Sequence, residues 1–143
     1  MGRKILGVLV GLVAGFAVIV MLHAAAQGMW PLPPGLNPMD RDAIVAAIRA
    51  MPAGFLWWTA FSWLGGTLAG TYLALRISRD PWVSWPALTV EAALLAIGAL
   101  NVAALSYPTW FWLVGLSSFP LGAFAGMRLA RNRMEGNGEV AGE

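Results

Sequence analysis

Few side chains in this sequence could do chemistry, and three of them lie in or beside long apolar stretches. Glu91 is the single charged residue between Trp85 and Leu100, and His23 is the single histidine. Ionisable side chains at membrane depth are costly and are functional hypotheses by default. Glu91 is therefore the first candidate, as a carboxyl group that could exchange a proton or bind a cation. His23 and the neutral Asn101 form a second candidate polar site.

Several familiar kinds of site are missing from the sequence. The chain has no cysteine, so disulfides, thiolate nucleophiles and Cys-ligated zinc are excluded. No Ser–His–Asp set, phosphate-binding loop or HExxH motif is present. A single histidine supplies neither a zinc site nor both axial ligands of a haem. We therefore predict that the protein is not an enzyme and holds no metal or cofactor.

The composition indicates a membrane protein. Of the 143 residues, 59% are hydrophobic and 11% are charged, whereas a soluble domain carries about 25% charged residues. Four apolar runs are each long enough to cross a bilayer as a helix. We predict an all-α fold, an integral membrane four-helix bundle forming one domain over residues 1–133. The predicted spans are 5–26, 55–75, 82–105 and 110–130, followed by a polar, disordered tail at 134–143.

Basic residues predict the orientation. Seven of them fall on one side of the predicted spans, and Arg41 and Arg49 fall on the other. The positive side faces the cytoplasm. We therefore predict a protein of the bacterial inner membrane whose two termini lie in the cytoplasm, with lipid and not nucleic acid as its surroundings. Aromatic residues should mark the two interfaces. The seven basic residues are Arg3, Lys4, Arg76, Arg79, Arg128, Arg131 and Arg133. The outer aromatic residues are Trp30, Trp57, Trp58, Tyr107, Trp110 and Trp112, and the inner ones are Trp82 and Trp85.

The first span has a second interpretation, as a cleaved signal peptide. Ala24 and Ala26 match the small-x-small pattern of a cleavage site. Against this, the apolar run from Ile5 to Leu22 is longer than the 7–15 residues usual in such peptides. It also carries regularly spaced glycines that suit helix packing. We therefore favour a retained span.

The one long connection, residues 28–54, begins with prolines and ends with a helical pattern. Asn37 is a candidate cap and Pro38 suits the first position of a helix. The apolar residues that follow lie on one face, which predicts a short amphipathic helix on the outer side. It would cap the bundle or, alternatively, act as a lid or docking element.

Depth along the helices decides which polar groups can meet. With a rise of about 1.5 Å per residue, His23 and Glu91 differ in depth by about 15 Å and cannot pair. The same count places Glu91 level with Thr67, Thr71 and Pro120. Pro120 cannot donate to the carbonyl of the residue four positions earlier, which must then find another partner. These four residues form the candidate intramembrane site. Glu91 could instead be a neutral, hydrogen-bonded side chain or reach the inner interface.

Small residues recur at four-residue spacing in three of the four spans. Such stripes drive close helix packing in lipid, within one chain or between copies. The glycines concerned are Gly7, Gly11 and Gly15 in the first span, Gly66 and Gly70 in the second, and Gly122 and Gly126 in the fourth.

Three segments resemble a group of small bacterial four-span membrane proteins: PLPPGLNPMD (31–40), GGTLAG (65–70) and YPTWFWLVGL (107–116). The resemblance implies the fold and no particular activity. We expect a non-enzymatic accessory or structural subunit that acts through helix packing, in a homo-oligomer or a larger membrane complex. The alternative is a small proton- or cation-linked transporter or channel that uses Glu91.

Overall fold

The computed structural model describes residues 1–37, 39–80 and 84–140, with side chains described as far as residue 135. Some expectations from the sequence lie outside these residues. They are Pro38 as the first residue of a helix, Trp82 as an interfacial residue and the start of the third span, and the last three residues of the tail.

The described residues form five helices, which confirms the all-α prediction. By length and hydropathy, α1, α4 and α5 can each cross a membrane. Helix α3 has the length and hydropathy of a membrane span only when it is counted together with α2, and the two helices are bent by 105° relative to each other. The chain is therefore a multi-pass membrane protein with three candidate spans, or four if the bent pair counts as one. The helices are α1 (Gly2–Met29), α2 (Arg41–Ala50), α3 (Ala53–Ser78), α4 (Trp85–Leu105) and α5 (Thr109–Val140).

The last helix is longer than the sequence predicted. We expected the span to end near residue 130 and the chain to be disordered from residue 134, but α5 continues to Val140. Arg131 and Glu135, four residues apart, form an ion pair of 2.8 Å across this segment. Such pairs favour helix even where the apolar pattern has ended, so the helix continues beyond the predicted span.

Helix α3 lies at the centre of the assembly and packs against α1, α4 and α5. Its contact with α1 is antiparallel and very close, because glycines remove the side chains between the two backbones. A Cβ atom placed on the α1 glycines would lie 2.6–2.8 Å from a backbone carbonyl oxygen of α3. The facing pairs are Gly7 with Ala74, Gly11 with Gly70, and Gly15 with Gly66.

The contact between α3 and α5 is parallel and also runs through glycines. A Cβ on Gly126 would lie 2.5 Å from the carbonyl oxygen of Leu68, and Gly122 meets the carbonyl of Leu64 in the same way. This register brings the end of α3 beside the end of α5. Because α1 and α5 each pack closely against α3, they hold that end of α3 in place.

Helix α2 contacts α4 at the opposite end of the assembly from the chain's N-terminus. Its cap is Asp40, whose side chain accepts a hydrogen bond from the backbone N–H of Ala43 at 3.0 Å. Asn37, the cap expected from the sequence, instead accepts from the N–H of Met39 and closes its own turn. Arg41 Nη2 donates to the carbonyl of Ala104 at 2.9 Å, which ties α2 to the end of α4.

Candidate functional site

The first candidate site lies at the end of the assembly where α3 ends, which we call the basic end. A depression of about 540 Å³ opens there between α3 and α5, lined by Arg76, Ile77, Arg79 and Met134. Both guanidinium-bearing residues are exposed. A guanidinium group presents a planar fork of donors that matches phosphate and carboxylate oxygens. The depression therefore offers two anion-binding side chains beside two apolar ones.

An ion pair between a partly exposed lysine and a buried aspartate lies next to this depression. Lys4 Nζ contacts Asp80 Oδ1 at 2.7 Å, and the side chain of Asp80 is 9% exposed. The second oxygen of the carboxylate, Oδ2, is buried and has no hydrogen-bond partner among the described residues. A carboxylate has about four acceptor positions, and those of Oδ2 are not used by any described residue. The pair also ties the start of α1 to the end of α3.

The backbone at Arg79 is unusual for a residue with a side chain. Its φ of 56° and ψ of 34° place it in the left-handed region, where it ends α3. Glycine is the usual residue at that position, because a Cβ costs about 1–2 kcal/mol there. Strained residues cluster at functional sites, so the presence of arginine here supports a role for its side chain.

The structure brings together only some of the residues that were predicted to lie at the depth of Glu91. Val90 packs on both Gly11 and Gly70, within 3.1 Å of a Cβ built on either, so the neighbour of Glu91 lies at the depth that the sequence predicted. Glu91 itself is half-buried, and none of the hydrogen bonds and ion pairs among the described residues involves it. Pro120 lies on the exposed surface of α5. It is therefore not part of a closed site with Glu91.

Most hydroxyl groups at this level donate to carbonyl groups of their own helices. Thr67 donates to the carbonyl of Trp63 at 2.8 Å. Thr71 Oγ1 is buried without a partner among the described residues. The two serines near Pro120 donate to Val114 and Gly115, not to the carbonyl that proline leaves free. The hydrogen-bonded site expected around Glu91 is absent from the described part of the chain.

The second polar pair does share a site. His23 and Asn101 line the same cavity between α1 and α4, together with Gln27. Tyr107 lies near them in the turn between α4 and α5, and burial raises the pKa of its hydroxyl to about 12. The sequence had placed His23 and Asn101 at one depth, but Gln27 and Tyr107 were not recognised as part of their surroundings.

The basic end was missed as a site because its residues had another explanation. Arg76 and Arg79 were interpreted only as signals of orientation, and Asp80 was not considered. One pattern could have indicated the Lys4–Asp80 ion pair. The two residues have opposite charges, and both border spans on the side predicted to be basic. The depression itself depends on the α3–α5 register, which the sequence did not give.

Comparison with known proteins gives one kind of relative. The chain is similar to the CDP-archaeol synthases of two strains of Halobacterium salinarum, with 28% identity over 109 residues. The match covers 76% of this chain and 53% of each relative, so the chain spans about half the length of the curated relatives it matches. No family model and no solved structure matches the chain.

These relatives overturn the expectation of a non-enzymatic accessory or structural subunit, because the name they share is that of an enzyme. They give no better support to the transporter alternative. The expectation failed for a physical reason. The motifs whose absence we noted belong to local sites, in which one loop or one helix supplies several groups. A membrane enzyme can instead collect single residues from the ends of separate helices, and such residues leave no short motif in the sequence.

Proposed function

We propose that the protein is a multi-pass membrane enzyme that acts on the phosphate-bearing headgroup of a lipid at its basic end. In this proposal α1, α3, α4 and α5 cross the membrane as a four-helix bundle, and both termini lie in the cytoplasm. The excess of arginine and lysine at that end supports the orientation. A cytoplasmic site would give access to water-soluble nucleotides, and the bilayer would supply the lipid.

The observation that carries the proposal is the pair of arginines around one depression. Arg76 and Arg79 line it together, and their guanidinium groups can bind two phosphate groups or both sides of one. Such sites stabilise charge on a transferring phosphoryl group without forming a covalent bond to it. Ile77 and Met134 complete the lining with apolar surface, which suits the part of a lipid next to its headgroup.

Asp80 contributes a second kind of group. Lys4 holds one carboxylate oxygen at 2.7 Å, and the other has no described partner. Because that oxygen is buried, we propose that Asp80 positions the two arginines by tying the end of α3 to Lys4. The lysine lowers the local negative charge, so that the carboxylate can lie near a phosphate.

The relatives supply the substrate class. Their name describes an enzyme whose product joins cytidine diphosphate to a lipid, archaeol. A diphosphate linked to apolar chains matches two arginines at a bilayer interface. We therefore propose a CDP-linked lipid as the product of this protein.

The test uses the purified full chain in lipid vesicles. CTP, as its magnesium salt, is added with vesicles containing either a dialkylglycerol phosphate or a diacylglycerol phosphate, and the CDP-linked lipid is measured by mass spectrometry. We expect product from at least one lipid, and a loss of at least tenfold in rate for Arg76→Gln. Arg133→Gln removes the same charge from an exposed site outside the depression and should change the rate little. Equal losses in the two variants, or no CDP-linked product from either lipid, would refute the proposal.

A further inference from the structure

A second site lies at the other end of the assembly, under α2. A cavity of about 320 Å³ opens between α1 and α4, with Trp63 and Phe119 among its lining residues. A smaller cavity of about 190 Å³ lies beneath α2. Three polar residues line both cavities, namely His23, Gln27 and Asn101. Along α1, His23 is about 28 Å from Lys4, so this site is far from the basic end and independent of the function proposed there.

The hydrogen bonds of His23 determine which ring nitrogen is free. Nδ1 lies 3.0 Å from the carbonyl oxygen of Ile19 and 3.1 Å from Ser62 Oγ. The Ser62 hydroxyl donates its hydrogen to the carbonyl of Thr59 at 2.7 Å, so towards His23 it can only accept. Both partners of Nδ1 are therefore acceptors, and Nδ1 carries the hydrogen of the neutral ring. Nε2 is left with a lone pair, as a hydrogen-bond acceptor.

The remaining lining defines the chemistry of a ligand. No Asp, Glu, Lys or Arg lines either cavity in the described part of the chain. Besides His23, the polar groups shared by both cavities are two amides, whose NH₂ groups donate and whose oxygens accept. The remaining walls are mostly aliphatic and aromatic. A charged headgroup would lose its hydration here without gaining a counter-charge, so the lining selects a neutral molecule.

From these observations we propose that the cavity binds a neutral glycerolipid with one free hydroxyl, such as diacylglycerol. Its hydroxyl donates to His23 Nε2, and its two ester carbonyls accept from the amides of Gln27 and Asn101. The site thus offers an acceptor for the hydroxyl of the ligand and an amide N–H donor for each of its carbonyl oxygens. At 320 Å³ the larger cavity is at the small end of ligand sites. It holds the headgroup and the start of the chains, which continue between α1 and α4 into the bilayer.

Helix α2 forms the outer wall of this site. Ile44, Ile48 and Met51 line the smaller cavity on the side of α2. Arg41 holds the start of that helix to the end of α4. The amphipathic helix thus covers one side of the smaller cavity, and the exposed amides of Gln27 and Asn101 stay open to an entering lipid.

The experiment uses a diacylglycerol with a photoreactive diazirine in one chain, added to the full-length protein in lipid nanodiscs. After illumination, labelled peptides are identified by mass spectrometry, and unlabelled diacylglycerol competes. We expect saturable labelling of segments 16–27 and 94–101. His23→Leu and Asn101→Leu should each raise the competing concentration by about tenfold, since one hydrogen bond is lost in each. Asn132→Leu, at an exposed asparagine of α5 outside both cavities, should leave it unchanged.

Two further ligands make the test specific. The methyl ether of the same diacylglycerol lacks the hydroxyl hydrogen and should compete about tenfold more weakly than the parent lipid. Diacylglycerol phosphate should compete weakly as well, because it is charged. Should a quinone compete better than diacylglycerol, or should the methyl ether compete equally well, the proposed ligand class is wrong. If His23→Leu does not fold, as judged by thermal unfolding, Asn101→Leu decides the same question from the exposed surface of α4.

Discussion

Replacing Gly11 with alanine should separate α1 from α3 and lower the stability of the protein. A Cβ at this position would lie 2.6 Å from the carbonyl oxygen of Gly70, about 0.8 Å short of the 3.4 Å at which ordinary contact begins. It would also meet Ala74 Cβ at 3.0 Å and Val90 Cγ2 at 3.1 Å. The carbonyl and the Ala74 Cβ are fixed to the α3 backbone, so the helices themselves must move.

The size of the effect is the difference between two terms. Overpacking of this kind costs about 1–3 kcal/mol. Alanine regains up to about 1 kcal/mol, because glycine is the poorer helix former. With the full gain, Gly11→Ala should lower the free energy of unfolding by up to about 2 kcal/mol, and by about 1–3 kcal/mol relative to a position where alanine meets no clash. Gly28→Ala is the matched control in the same helix, since a Cβ there meets nothing within 4 Å. That variant should be as stable as the natural chain or more stable.

Unfolding by increasing amounts of sodium dodecyl sulfate in mixed micelles, followed by tryptophan fluorescence, gives the two free energies. The eight tryptophans supply the signal. If Gly11→Ala has the same free energy of unfolding as Gly28→Ala, the α1–α3 contact is not as close as described and does not depend on these glycines.

Three further predictions concern charges, burial and backbone strain. Lys4→Met leaves the buried Asp80 carboxylate without its partner and should lower the free energy of unfolding by about 1–3 kcal/mol; adding Asp80→Asn should restore most of it, and a double-mutant cycle without coupling would contradict this. The pKa of Tyr107 is raised from 10.0 to about 12, so the unfolded chain loses the phenol proton first as the pH rises. The free energy of unfolding should therefore fall between pH 10 and about pH 12. Tyr107→Phe should remove this loss when unfolding is measured across that pH range. Ser106 and Arg79 both have positive φ, 51° and 56°. Changing either to glycine should therefore raise the free energy of unfolding by up to about 1 kcal/mol, but only Arg79→Gly should weaken binding of a lipid phosphate, as measured by vesicle co-sedimentation.

The helices and their relative depths could be predicted from the sequence because both follow from simple periodic rules. A constant rise per residue was enough to place Gly11, Gly70 and the neighbour of Glu91 at one level, and the structure packs Val90 on both glycines there. The glycine stripes likewise identified the surfaces of α1 and α3 that meet. Such inferences need only the length and direction of each helix.

The site at the basic end could not be predicted, since it depends on how the helices are rotated about their axes and on their register. Lys4 and Asp80 are 76 positions apart in the chain, and their contact follows from the α1–α3 packing and the end of α3 at Arg79. Glu91 attracted attention because it is a charge among apolar residues, yet the structure gives it no described partner. The free-energy cost of a charged side chain in lipid marks Glu91 as unusual. A functional site also requires that other polar groups lie within contact distance of it.

The central position of α3 has a consequence for how the chain enters the membrane. Its buried surface carries hydroxyl groups and glycines, among them Thr59, Ser62 and Thr67, and α3 alone falls below the hydropathy of a candidate span. A helix of this kind gains little by entering lipid alone. During synthesis, α3 should therefore wait beside the translocation channel until α1 packs on its glycine face. Entry of α3 into the bilayer would then depend on the α1–α3 pair, so a mutation in α1 that blocks packing should leave α3 outside the bilayer.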